Sequence, residues 1–101
     1  MKTTLIRYRT HAERADDNEA LIKAVFAQLE AQRLPGVHYA TLRLADATFY
    51  HLVAVESEPS RGGLVELPAF KAFQAGIRDR CAEAPVSSEV QLVGNYRMLG
   101  S

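Results

Sequence analysis

His51 sits at the centre of Phe49-Tyr50-His51-Leu52-Val53, an apolar run whose residue types suit a buried strand. An imidazole in such a place can serve as general base toward an acidic substrate proton, and it is the catalytic candidate of the chain. The competing role is a neutral core histidine whose ring nitrogens are simply hydrogen-bonded. His38 lies on the preceding apolar run, and a short connection centred on Asp46 and Ala47 pairs Leu42 with His51 and His38 with Val55. At about 3.4 Å per residue this separates the two histidines by roughly 13 Å, too far to share a metal ion. No His-x-x-x-His or acidic cluster offers a ligand set elsewhere, so no metal is expected. His11, beyond the first strand, is expected to face solvent.

Tyr8, Tyr39, Tyr50 and Tyr96 all fall on runs that read as strands, where phenol hydroxyls can orient a carbonyl or quinone oxygen. Packing is the commoner role for such residues. His38, Tyr8, Tyr96 and Phe73 are the expected substrate-binding residues around His51. Arg7, Arg9, Arg43 and Arg97 also lie inside strands, where each needs a carboxylate such as Glu56 or Glu89, or a substrate anion.

The elements that must position these groups follow the order strand, helix, strand, strand, helix, strand. Thr3 to Thr10 reads as the first strand. Asp16 and Glu19 have capping-box spacing, and Leu21, Ile22, Val25, Phe26 and Leu29 form one helical stripe that ends at Pro35-Gly36. Val37 to Leu44 and Thr48 to Ser57 form an antiparallel hairpin. Glu58 to Val65, with Pro59, Gly62 and Gly63, is expected to be an exposed mobile loop. Pro68 opens a second helix carrying Phe70, Phe73, Ile77 and Cys81 on one face, and Glu89 to Met98 alternates as the fourth strand.

This order gives an α+β, ferredoxin-like fold: a four-stranded antiparallel sheet with two helices on one face. In the register that pairs Leu42 with His51, residues His38, Ala40, Leu42, Leu44, Phe49, His51, Val53 and Val55 face the helices. Tyr39, Arg43, Tyr50, Leu52 and Glu56 then lie on a face that no helix covers, and a second copy of the chain is expected to cover it.

The 101 residues are read as one domain, 1–101, with 48% hydrophobic and 24% charged residues. Twelve basic side chains balance twelve acidic ones, which disfavours nucleic acid as a partner. No apolar run approaches the roughly 20 residues of a membrane span, and no signal-peptide pattern opens the sequence. One cysteine, Cys81, suits a reducing compartment, and a cytoplasmic location is expected.

Three stretches resemble the dimeric α+β barrel proteins, particularly the antibiotic biosynthesis monooxygenase-like branch. They are Asn18 to Leu34 followed by Pro35-Gly36-Val37, then Phe49 to Ser57, and Pro68-Ala69-Phe70-Lys71-Ala72-Phe73. The resemblance implies a homodimer that binds a small molecule and acts as a cofactor-independent monooxygenase on an aromatic or quinol-type substrate. Val53 and Val55 stand where that family commonly has Glu and Trp, and Ala69 where it usually has His. With no tryptophan anywhere, the haem-degrading members match poorly. A non-catalytic ligand-binding or regulatory module of the same fold is the alternative.

Overall fold

The computed structural model describes residues 1–99. The elements are β1 (Lys2–Thr10), a 3-10 turn (Ala12–Arg14), α1 (Ala15–Gln32), β2 (Val37–Arg43), β3 (Thr48–Val55), α2 (Glu58–Glu66), α3 (Pro68–Ala75), α4 (Ile77–Arg80) and β4 (Cys81–Glu89). The strands pair antiparallel in the order β2-β3-β1-β4, which is the ferredoxin-like arrangement. Among the described residues no helix is long and apolar enough to cross a membrane.

The core lies between one sheet face and the helices. Tyr8 and Phe49 from the sheet, Ala15, Ile22 and Val25 from α1, Leu64 from α2 and Phe73 from α3 meet there with Leu67. The stripe on α1 is thus used as its spacing requires. The capping box is not formed: α1 follows the 3-10 turn, and its N-cap, Arg14, makes no side-chain cap. Asp16 and Glu19 instead accept from Arg43 at 3.0 and 2.7 Å, tying α1 to the end of β2. Two exposed carboxylates beside a guanidinium gain more from that pair than from the helix end.

Helix α2 replaces the expected loop at Glu58 to Val65. Ser57 accepts a hydrogen bond from the Ser60 amide and Pro59 lies in the first turn, so capping and proline both start a helix here. Gly63 lets this helix approach the connection between α1 and β2, since a Cβ there would stand 3.0 Å from Leu34 Cδ1. The breaker residues therefore permit close packing. The second helix is in turn interrupted at Gly76, and Cys81 opens β4 opposite Thr10. β4 spans Cys81–Glu89, so the strand expected over Glu89 to Met98 is absent and residues 90–99 have no regular structure. The β1 edge is filled from Cys81 onward, and Pro85 is tolerated because β4 is an edge strand.

The β2–β3 register differs by one residue from the expectation: Thr41, not Leu42, lies opposite His51. Leu44 N bonds Thr48 O and Ala47 takes φ 71°, so the connection holds one more residue of turn than a tighter hairpin would. A one-residue slip inverts every side chain of β2. Val37, Tyr39, Thr41 and Arg43 consequently face the helices with Phe49, His51, Val53 and Val55. The open face carries His38, Ala40 and Leu42 beside Tyr50, Leu52 and Ala54, with Leu5 and Arg7 from β1. The arginines find carboxylates within the chain: Arg7 and Arg9 both bond Glu83 of β4, whereas Glu56 pairs with His38. Arg97 lies over the Tyr96 ring.

Gly36 joins α1 to β2 at φ +74°, and a Cβ there would collide with Ser60 Oγ. Gly36→Ala is expected to lower stability by about 1–3 kcal/mol. Gly62, in α2 with nothing within 4 Å of its Cβ position, is expected to gain about 0.5–1 kcal/mol as alanine. Urea denaturation midpoints of the two variants check both signs.

Candidate functional site

A cavity of about 730 Å³ opens between the helix-facing side of the sheet and helices α2 and α3. Its floor comes from alternate residues of two paired strands, Lys2, Thr4, Ile6 and Tyr8 of β1 and His51, Val53 and Val55 of β3. Tyr39 of β2 joins them, and Leu64, Phe70 and Phe73 roof it from the helices. Period-two alternation places every one of these strand residues on the same side.

His51 is 2% exposed and both ring nitrogens are occupied. Tyr8 Oη lies 2.7 Å from Nε2, while Tyr39 Oη and Thr41 Oγ1 lie 2.8 and 3.1 Å from Nδ1. The chain of contacts continues away from the cavity. Asn18 Nδ2 donates to Tyr8 Oη at 2.8 Å, and Arg80 Nε donates to Asn18 Oδ1 at 2.9 Å. Arg80 also donates to the Phe73 carbonyl, and its guanidinium lies over the Phe73 ring.

Direction follows from what each group can do. Guanidinium only donates, so the Asn18 oxygen faces Arg80 and its amide nitrogen faces Tyr8. With its oxygen accepting from Asn18, the buried Tyr8 hydroxyl directs its own hydrogen to His51 Nε2. A neutral imidazole accepting at Nε2 carries its hydrogen on Nδ1, from which Tyr39 and Thr41 accept. Burial holds the ring neutral, pushing its pKa from 6.5 down to about 4. The same loss of water raises Tyr8 and Tyr39 above the usual phenol range. Arg80 is pushed below its usual value, again by burial, and no carboxylate among the described residues forms an ion pair with it.

Of the residues singled out in the sequence, His51, Tyr8 and Phe73 line the cavity together. His38 does not: the register turns it to the open face, where its side chain is 57% exposed and bonds Glu56 at 2.9 Å. Tyr96 does not either, standing 85% exposed beyond β4. Asn18, Arg80 and Thr41 complete the network and were not singled out. Asn18 carried a usable signal, a polar residue one turn before the apolar stripe of α1 at Leu21-Ile22. Arg80 carried none, because its role depends on the break at Gly76, where a Cβ would stand 3.0 Å from Arg80 Nη1. Among the described residues no group of three His, Cys, Asp or Glu is placed to hold a metal ion.

No protein-family model matches the chain, and no curated protein matches it. Solved structures do. A candidate antibiotic biosynthesis monooxygenase from Nitrosomonas europaea superposes with a TM-score of 0.75 at 15% identity, over 93% of this chain and 100% of that one. One from Caulobacter crescentus gives 0.74 at 20% identity, over 92% and 90%. Likeness at such low identity speaks to the backbone alone, and on that ground the chain has the ferredoxin-like α+β fold of the antibiotic biosynthesis monooxygenase-like proteins.

Proposed function

We propose that the chain binds an aromatic or quinol-type small molecule in the cavity over β1 and β3 and acts on it as a cofactor-independent monooxygenase. The observation that carries this reading is an apolar cavity whose buried end is a wall of fixed hydroxyls, Tyr8 and Tyr39, clamped by His51. Apolar lining with a few convergent polar groups is the usual make-up of a ligand site. Tyr39 Oη accepts from the ring, which leaves its hydrogen for an oxygen of the ligand.

The balance of the reaction needs only dioxygen. A phenol ring carbon bearing hydrogen gains one oxygen atom as a quinone carbonyl, and the second oxygen leaves as water. His51 does not remove the phenol proton on its own. A ring with pKa about 4 facing a phenol near 10 makes that transfer uphill by about 8 kcal/mol. The phenol proton passes to solvent instead, and the Tyr39 hydroxyl donates to the ionised oxygen, with His51 and Tyr8 as positioning residues. The full hydrogen bonding of His51 also suits the second reading, a non-catalytic ligand-binding module of the same fold.

Isothermal titration with 1-naphthol and an oxygen electrode separate these. Binding with one dioxygen consumed per naphthol supports the enzyme; binding without uptake supports the module; no binding removes both. For the enzyme, His51→Gln is expected to lower turnover about 10²-fold by misplacing both hydroxyls, with a smaller change in affinity.

The open sheet face supports a homodimer. Leu42 is 65% exposed there, beside the half-buried Leu5, Tyr50 and Leu52, and the helices lie on the other side. A second copy placed sheet to sheet covers this patch. Sedimentation at micromolar concentration is expected to give a dimer, and Leu52→Lys a folded monomer; a monomeric native chain removes the dimer.

A further inference from the structure

The cavity is apolar along its length, closed by the Tyr8 and Tyr39 hydroxyls at its buried end, and basic at its mouth. Lys2, Arg61 and Lys71 all line it and all are exposed, so they stand where it meets solvent. No carboxylate among the described residues lines it, although the whole chain carries equal numbers of acidic and basic residues. Lys71 bonds Glu66 at 3.0 Å, and Arg61 lies 3.8 Å from Glu58, whose side chain is 88% exposed. Exposed pairs of this kind contribute little and rearrange readily. Lys2 forms no ion pair among the described residues.

Strand geometry sets the spacing. Lys2 lies opposite Val55, and Ile6, on the same face, lies opposite His51. Four residues at about 3.4 Å put roughly 14 Å between the basic mouth and the hydroxyl wall. A ligand spanning that distance meets Thr4, Val53, Val55 and Phe70 along its length and positive charge at its outer end.

We propose that the cavity selects an amphipathic organic anion: an apolar aromatic body directed toward His51, with an acidic group held at the mouth by Lys2 and Arg61. This rests on the reading of the cavity as a ligand site and adds the class of ligand. Charge-assisted bonds from a guanidinium and an ammonium suit a carboxylate or sulfonate, and the partly solvated mouth avoids the penalty of burying the charge.

Two dyes test it, 8-anilinonaphthalene-1-sulfonate and its uncharged counterpart N-phenyl-1-naphthylamine. The sulfonate is expected to bind about tenfold more tightly, and Lys2→Gln with Arg61→Gln to remove that advantage while leaving the neutral dye unchanged. Thr4→Trp and Val53→Trp, each checked for folding by circular dichroism, are expected to exclude both dyes by filling the cavity. Equal binding of the two dyes, or a sulfonate preference that survives the double substitution, overturns the anion selectivity and leaves the ligand site standing. Failure of both dyes to bind, or binding that both folded tryptophan variants retain, overturns the ligand site and the selectivity with it.

Discussion

A single run of buried hydrogen bonds, Arg80 to Asn18 to Tyr8 to His51 to Tyr39, crosses α4, α1, β1, β3 and β2 in turn. Arg80 only donates, Asn18, Tyr8 and His51 each accept from one neighbour and donate to the next, and Tyr39 accepts at the far end, so the run has one direction and one consistent set of hydrogens. Deleting any member leaves a buried polar group unpaired, a loss of about 1–3 kcal/mol. The sheet register is part of the same constraint, because a one-residue slip of β2 carries Tyr39 and Thr41 to the far side of the sheet. His51 adds a pH dependence. Its folded pKa lies below the ordinary 6.5, so the stability it contributes is complete above about 6.5 and is lost as pH falls toward 4.

The cavity exists because this run holds the tyrosines and imidazole at its inner end while α2 and α3 supply a roof. Phe73 serves both parts. Its ring lies 5.4 Å from the His51 ring, and its carbonyl accepts from Arg80. A polar network fixed from behind and an apolar space in front make the hydroxyl wall rigid, which would reduce the ordering that binding of the proposed ligand requires.

Much of this was legible in the sequence where one local pattern sufficed. The α1 stripe, the β1 and β3 runs, and the helix-facing side of His51 follow from periodicity, and the ferredoxin-like order follows from their succession. Long-range hydrogen bonding decided the rest. Hairpin patterning puts His38 on the face of His51, but the turn holds one residue more than that pattern implies, a difference that leaves β3 intact and inverts β2. Glycines at 62 and 63 read as breakers, yet Ser57 and Pro59 start a helix across them. Alternation at Val90, Leu92, Tyr96 and Met98 looked like a strand, but Cys81–Glu89 already occupies the β1 edge. The departures from the family pattern at Val53, Val55 and Ala69 carried no sign of the network, since its members Asn18 and Arg80 lie elsewhere in the chain.

The direction of the hydrogen-bond run is measured most directly by long-range proton–nitrogen NMR correlation of the His51 ring at pH 7 and below. The network requires a neutral ring with its hydrogen on Nδ1, a bare Nε2, and no protonation until the pH approaches about 4. A hydrogen on Nε2, or a ring that titrates near its ordinary value of 6.5, contradicts it.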